Sequence, residues 1–396
     1  MYNFPWSKTD NPGAWIEVTD ICNLTCPGCF RSNNLEGHRP LDIIKEEILQ
    51  CIKMTNCSRI SISGGEPLLY PDIIEVVKYI ASLKIKCVIL SNGELLTPDL
   101  ARKFREAGLF QFFLHVDGGQ IRPGWMNKTE IEMNELRQYY VDMIHNVGRI
   151  KCGFNLTIRN LNLSEVPDIV SWFLSNIDRV NHLSLIAFRG IPINIADYIS
   201  HEGQKAGINI LPDALKSNKE NDISSNDIFK IIDSNFEHIY PAAYLKGTLR
   251  KDTFKLISSC NIGSKSQIYG AIGAKSLEKH QQFNHKIRGK YEASVVNFGK
   301  LVFLMAFIDK EVKKSLGRYF KTVLKNPIRL FEKIYVQSLN IQQPFEIIDN
   351  ELNLCDGCMN LMPYKDQMIN SCRYDEYRLL GGPLDYSRIF YKETVE

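Results

Sequence analysis

The chain has no apolar run long enough to cross a bilayer. Its longest, residues 301–308, falls far short of the about 20 residues a spanning helix needs. The N-terminal Met-Tyr-Asn-Phe-Pro-Trp has no basic segment followed by an apolar one, so no secretory signal is expected and a cytoplasmic location is. Strong charge of either sign is also missing. Lys and Arg number 48 against 45 Asp and Glu, a net charge of +3, which gives no support to nucleic-acid binding. No internal repeat is visible. In a chain without a signal, 11 cysteines read as reduced thiols or metal ligands rather than disulfides. The length of 396 residues is enough for a sizeable core and two domains.

Apolar, strand-like bursts at 14–18, 59–63, 86–91, 109–116, 152–158 and 182–188 alternate with helical patterns at 41–54, 71–83, 98–107, 129–147 and 163–177. Pro71 and Pro98 suit the first turn of a helix. Such alternation predicts an α/β fold: parallel strands with helices outside, curled by right-handed crossovers into a partial (β/α)6 TIM-like barrel. Sites in such folds lie at the C-terminal ends of the strands. After about residue 199 the rhythm stops. The division expected is a core over 1–200, a connecting helix and linker over 201–253, and a smaller cysteine-containing domain over 254–396.

The chemistry concentrates at the strand ends. After the first strand comes Ile-Cys-Asn-Leu-Thr-Cys-Pro-Gly-Cys-Phe, which places Cys22, Cys26 and Cys29 in a C-x3-C-x2-C triplet. Three thiolates hold three corners of a [4Fe–4S] cubane and leave one iron open, whereas an electron carrier normally uses four ligands. Zinc is the alternative, but it wants a closed set of four, and the nearest further donor, His38, sits in a polar loop. The second strand ends in Ser63-Gly64-Gly65-Glu66-Pro67, where two glycines let the backbone approach a ligand closely.

Together these motifs resemble the radical SAM superfamily over about residues 14–190. The resemblance implies that Cys22, Cys26 and Cys29 bind a [4Fe–4S] cluster with S-adenosylmethionine (SAM) at its open iron. It assigns the SAM methionine contacts to Gly64, Gly65, Glu66 and Pro67. Ser91-Asn92-Gly93 and His115-Val116-Asp117-Gly118 resemble the family's later strand ends, and Asn155 and Thr157 lie where SAM-binding groups often occur. The cofactor-binding expectation therefore includes Ser91, Asn92, Asp117 and Asn155, with Arg122, Arg159 and Arg189 as candidates for the SAM carboxylate or substrate. His115 replaces a serine, and Gly28 stands where the family often has an aromatic residue, with Phe30 nearby. The implied activity is reductive cleavage of SAM to a 5′-deoxyadenosyl radical that takes hydrogen from a substrate, fed by a reducing partner such as flavodoxin or ferredoxin.

Cys260, Cys355, Cys358 and Cys372 form a second group, with Cys355-Asp-Gly-Cys358 as a C-x2-C turn eased by Gly357. They resemble the auxiliary-cluster (SPASM or twitch) domains that follow many radical SAM cores and imply one closed [4Fe–4S] site, with zinc as the alternative. Cys51, Cys57, Cys87 and Cys152 read as buried small hydrophobes. Residues 309–333 hold eight Lys/Arg and three acids with apolar residues at helical spacing. A basic amphipathic helix over 309–339 is expected, either packed on the core or lying on an anionic membrane surface. The substrate is expected to be a lipid or small metabolite. A peptide-modifying maturase is the alternative, weakened because strand one starts near residue 14 and leaves no room for a peptide-binding domain before it. A non-enzymatic iron–sulfur protein is the third reading.

Overall fold

The computed structural model describes residues 1–188, 223–293, 299–349 and 351–383, apart from 28, 30 and 35. The expectations at Gly28, Phe30 and Arg189, and for the linker up to 222, lie outside these residues. After a two-residue β1 (Tyr2–Asn3), the N-terminal half alternates β2 (Gly13–Thr19), α1 (Leu41–Thr55), β3 (Arg59–Gly64), α2 (Ile73–Ser82), β4 (Lys86–Ser91), α3 (Pro98–Ala107), β5 (Gln111–His115), α4 (Glu130–Val147), β6 (Lys151–Ile158), α5 (Val166–Ser175) and β7 (Val180–Ala187). Strands β2 to β7 pair with one another in chain order, all parallel. β2 is buried along its whole length, as a strand covered on both faces must be.

Local chemistry sets the helix ends. Thr97 caps α3 by accepting from the Leu100 N–H, Pro98 fills its first turn, and Gly108 ends it at φ 90°. Thr129 and Glu132 close a capping box at the start of α4. Cys51, Cys57, Cys87 and Cys152 are buried in the main core beside residues such as Ile44, Ile62 and Phe112.

The C-terminal half contains α6 (Ser225–Asn235), β8 (Pro241–Lys246), β9 (Phe254–Ser264), β10 (Gln267–Ile272), α7 (Ala274–Arg288), α8 (Lys310–Lys325) and β11 (Tyr335–Gln342). Two hairpins follow, β12 (Glu346–Ile348) with β13 (Glu351–Asn353) and β14 (Leu361–Tyr364) with β15 (Gln367–Asn370), and then α9 (Tyr374–Leu380). β11 lies parallel to β7 as a seventh parallel strand, β9 runs antiparallel to β11, and β8 antiparallel to β9. The C-terminal strands therefore extend the same sheet.

The stretch 309–339 is not one helix. α8 stops at Lys325, a 3-10 turn spans Pro327–Phe331, and the chain enters β11 at Tyr335. Pro327 has no N–H to continue the helix, and Asn326 caps the new turn through the Ile328 N–H.

Candidate active site

β2 ends at Thr19, and the chain turns at once into the first cysteine loop. The end of β3 is pressed against that turn. Gly65 N–H donates to Thr19 O at 2.9 Å, and Glu66 N–H donates to Ile21 O at 2.8 Å, one residue before Cys22. Gly64 has φ +142°, and a Cβ there would lie 2.0 Å from the Thr19 carbonyl oxygen. A Cβ on Gly65 would lie 2.3 Å from that of Ile21. Glycine is required at both positions because backbone meets backbone.

Glu66 is fully buried. Its carboxylate accepts from the Leu68 N–H at 3.0 Å, the Ser91 hydroxyl at 2.7 Å and the Asn92 N–H at 2.7 Å. It braces the ends of β3 and β4, and burial still holds its pKa above the ordinary range despite those three bonds. Neither Glu66 nor Pro67 lines the cavity beyond the strand ends.

That cavity, about 370 Å³, is lined by Cys22, Cys26 and Cys29 and also by Cys355, Cys358 and Cys372. Gly64, Gly65, Ser91, Asn92, Asp117 and Asn155 supply strand-end groups to the same space. His115 and Thr157 line it too, and the His115 ring sits 2.7 Å from the Asp117 carboxylate and 3.2 Å from the Thr157 hydroxyl. Burial alone would raise the pKa of Asp117, but the neighbouring imidazole, the Thr157 N–H and Arg159 together pull it below the usual carboxylate range.

The three candidate arginines separate. Arg159 lines the cavity and donates to the Pro27 carbonyl at 2.8 Å, inside the first cysteine loop. Arg122 is fully buried, donating to Asn92 O at 2.6 Å and pairing with Glu94 at 2.8 Å, so it ties strand ends together from beneath. Arg189 lies outside the described residues.

Contacts invisible to motif reading hold the first cysteine loop from the far end of the chain. α9 begins two residues after Cys372. Its Asp375 accepts from the Ser32 N–H at 2.7 Å, and its Arg378 donates to Ser32 O at 2.8 Å and pairs with Asp20 at 3.3 Å. Arg31, in an ion pair with Glu17, lies 5.4 Å over the Tyr374 ring. Within the loop, Cys22 N–H donates to Asn34 and the Asn33 amide points at Cys29 Sγ, 3.7 Å away. A repeated sequence signal for these partners does not exist, because each is a lone polar residue whose role depends on tertiary placement.

The second cysteine turn is held by the N-terminal segment. Gly357 adopts φ +78°, where a Cβ would meet Trp6 O at 2.5 Å, and Asn11 donates to Cys358 O at 2.9 Å. Cys260 is not brought to this group. It sits in the middle of β9, level with Ser338 of β11 and His182 of β7, in an apolar cluster with Ile262, Tyr269 and Val336. Its Sγ is 3.9 Å from the Ser338 hydroxyl and does not line the cavity. A residue paired on both sides within a strand cannot swing to a loop, so the described part of the second site offers three thiols.

The donor sets fit clusters. Among the described residues no three His, Cys, Asp or Glu side chains stand close enough together to chelate a single ion. A cubane does not ask for that, since each thiolate takes a different iron. Burial pushes the Cys26 thiol up to about 12, helped by the nearby Cys29 and Asp117, and Cys22 and Cys29 shift the same way. In the second group burial, with Cys358 nearby, pushes Cys372 up to about 12, while Cys358 is lowered by the hydrogen bond Cys355 gives it. Thiols crowded this way resist ionising together until a cationic centre sits among them.

A family model described as "Radical SAM superfamily" matches residues 16–173. The AdoMet-dependent heme synthase of Methanosarcina barkeri is 29% identical over 164 residues, 39% of this chain and 44% of that protein. The 7,8-dihydro-6-hydroxymethylpterin dimethyltransferase of Methanocaldococcus jannaschii is 25% identical over 270 residues, covering 64% and 50%. The same organism's probable GTP 3′,8-cyclase is 28% identical over 161 residues, covering 40% and 53%. The chain thus spans about half the length of these curated relatives. Streptococcus suis SuiB bound to S-adenosylmethionine matches with 16% identity and a TM-score of 0.40, over 57% of this chain and 47% of that one. Residues 16–173, the strands that carry Cys22, Cys26 and Cys29 to the edge of the cavity, are a radical SAM superfamily domain.

Proposed function

We propose that this chain is a radical SAM enzyme acting on a small molecule held between two iron–sulfur clusters. The observation that carries this reading is the cavity shared by the triplets Cys22/Cys26/Cys29 and Cys355/Cys358/Cys372. Cys22, Cys26 and Cys29 would hold the first cluster, and Gly64, Gly65, Ser91, Asn92, Asp117 and Asn155 would surround the SAM bound to it. When bound, that pair supplies reductive cleavage of SAM to a 5′-deoxyadenosyl radical, which takes hydrogen from a C–H bond.

The protein's own part is placement. The glycine pair fixes where the first cysteine loop starts, Arg159 and α9 hold its far side, and both halves of the sheet line the cavity. Three thiols at the second site leave one position of an auxiliary cluster for a substrate donor, which supports substrate binding there over simple electron relay. The curated relatives are enzymes named for heme, pterin and GTP chemistry, which supports a small-molecule substrate. An electron donor of the flavodoxin or ferredoxin kind would supply the reductant.

Anaerobic reconstitution with iron and sulfide tests the reading. Near eight irons per chain are expected, falling to about four when either triplet is replaced by alanine. 5′-Deoxyadenosine should form from SAM and a strong reductant. About four irons with one zinc would replace the second cluster only, whereas eight irons without any SAM-dependent product would count against the whole reading.

A further inference from the structure

The segment from Lys300 to Lys333 carries nine Lys/Arg and three acids. Each acid is occupied. Asp309 is buried and caps α8, accepting from the Glu311 N–H at 2.9 Å and the Ser276 N–H at 2.9 Å. Glu311 pairs with Lys314 at 3.0 Å, and Glu332 with Arg329 at 2.8 Å. Lys314 and Arg329 are balanced by these pairs and Arg318 lies 3.7 Å from Glu237, so Lys300, Lys310, Lys313, Lys321, Lys325 and Lys333 make the face net positive.

The same segment leaves large apolar side chains in water. α8 turns Val312, Ser315 and Tyr319 inward onto the cluster beside β10. At helical spacing this places Phe320 and Leu324 together on an outer flank beside Lys313, with Lys314, Lys321 and Lys325 on the next face. α8 also packs against the 3-10 segments Gly299–Phe307 and Pro327–Phe331, and Lys300 of the first donates to Leu330 O of the second. These segments expose Phe307 at 92%, Ile328 at 75% and Phe331 at 84%, and Leu324 is exposed at 83%. Burying such groups is the ordinary outcome of folding, and a contiguous exposed set rimmed by charge marks a docking surface.

We infer that residues 299–333 form a face that docks on an anionic phospholipid membrane. The apolar side chains would enter the boundary between headgroups and acyl chains while the lysines meet lipid phosphates. Burial of Asp309 and pairing of Glu311 and Glu332 leave a net positive face, which matches a uniformly negative plane better than the mixed charges of a protein surface. No helix among the described residues is long and apolar enough to cross a membrane, so the segment lies in the interface. This proposal does not depend on what the cavity binds.

Co-sedimentation of the full chain with phosphatidylcholine vesicles, and with vesicles of equal phosphatidylcholine and phosphatidylglycerol, tests it. Binding at least about tenfold tighter to the anionic vesicles, weakening with salt, is expected. Phe307→Ser/Leu324→Ser/Phe331→Ser and, separately, Lys313→Glu/Lys314→Glu/Lys321→Glu/Lys325→Glu should each abolish it with an unchanged melting temperature. If the apolar variant fails to fold, the charge-reversal variant carries the test. No binding to anionic vesicles, or equal binding by a folded charge-reversal variant, overturns the proposal. So does a lipid-free dimer, seen by light scattering and dissolved by the same substitutions, in a chain that ignores vesicles.

Discussion

The two cysteine triplets face one cavity but are held in opposite ways. Cys22, Cys26 and Cys29 follow a parallel strand, and strand ends brace their loop on several sides: the glycine pair beneath, Asn92 bonded to Asn23, and Arg159 on Pro27. Cys355 and Cys358 lie beyond the sheet in a short turn and Cys372 in a 3-10 turn, and the first two are fixed by distant chain, with Asn11 on Cys358 and Trp6 against Gly357. Each site also leans on the other's segment, since α9 starts beside Cys372 and grips the loop of the first triplet. The first site is a product of local fold and the second of tertiary closure, and the link between them runs through α9.

Substitutions can break that contrast. The largest effect belongs to the proposed cluster ligands. Cys26→Ala should reduce SAM cleavage to background, whereas Cys372→Ala should keep cleavage and lose about four of eight irons, read by iron assay and 5′-deoxyadenosine formation. Next comes the glycine pair. Gly65→Val drives a side chain into the Ile21 carbonyl, so it should cost roughly 3 kcal/mol on an overpacking scale and empty the first site preferentially. Arg378→Ala removes the grip of α9 while touching no ligand. First-site metal affinity should fall about 10–100-fold, with the second site retaining its iron, as chelator competition would show.

Both sites should respond to pH. All three first-site thiols are raised, chiefly by burial; in the second group Cys355 and Cys372 are raised too, and Cys358 alone is lowered, by the hydrogen bond from Cys355. A raised thiol is protonated at neutral pH, so metal must displace its proton, and loading strengthens as pH rises toward the folded-state value. Between pH 7 and 9, loading should climb at both sites. Loading curves that stay flat over this range in the two alanine-triplet variants would contradict this. The smallest effect is expected at Cys260→Ala. Iron content should stay at its full value, with stability lower by about 1 kcal/mol from the small cavity left behind, measured by denaturant unfolding.

Much of this was legible in the sequence where local physics dominates. The six parallel strands and five helices follow apolar bursts and caps, with ends shifted by up to three residues, as at 163–177 against Val166–Ser175. Cys22, Cys26, Cys29, Gly64 and Gly65 stand at strand ends because short motifs report strand ends directly. The rest depended on distance in sequence. β11 joins β7 across more than a hundred residues, and no local pattern announces that pairing. Cys260 looks like a ligand by count, but its place in the middle of β9 puts it among Ile262 and Tyr269. Glu66 looks like a ligand-binding carboxylate, yet three donors from its own strand ends consume it. Asp375 and Arg378 carry no motif at all and matter only because Ser32 and Asp20 meet them in space.

One measurement bears most directly on the claim that the first triplet alone binds and cleaves SAM beside a separate second site. In the Cys355→Ala/Cys358→Ala/Cys372→Ala variant, reconstituted to about four irons and reduced, the electron paramagnetic resonance signal should shift when SAM is added, and 5′-deoxyadenosine should accumulate. A fully loaded variant whose signal ignores SAM and which forms no 5′-deoxyadenosine would contradict it.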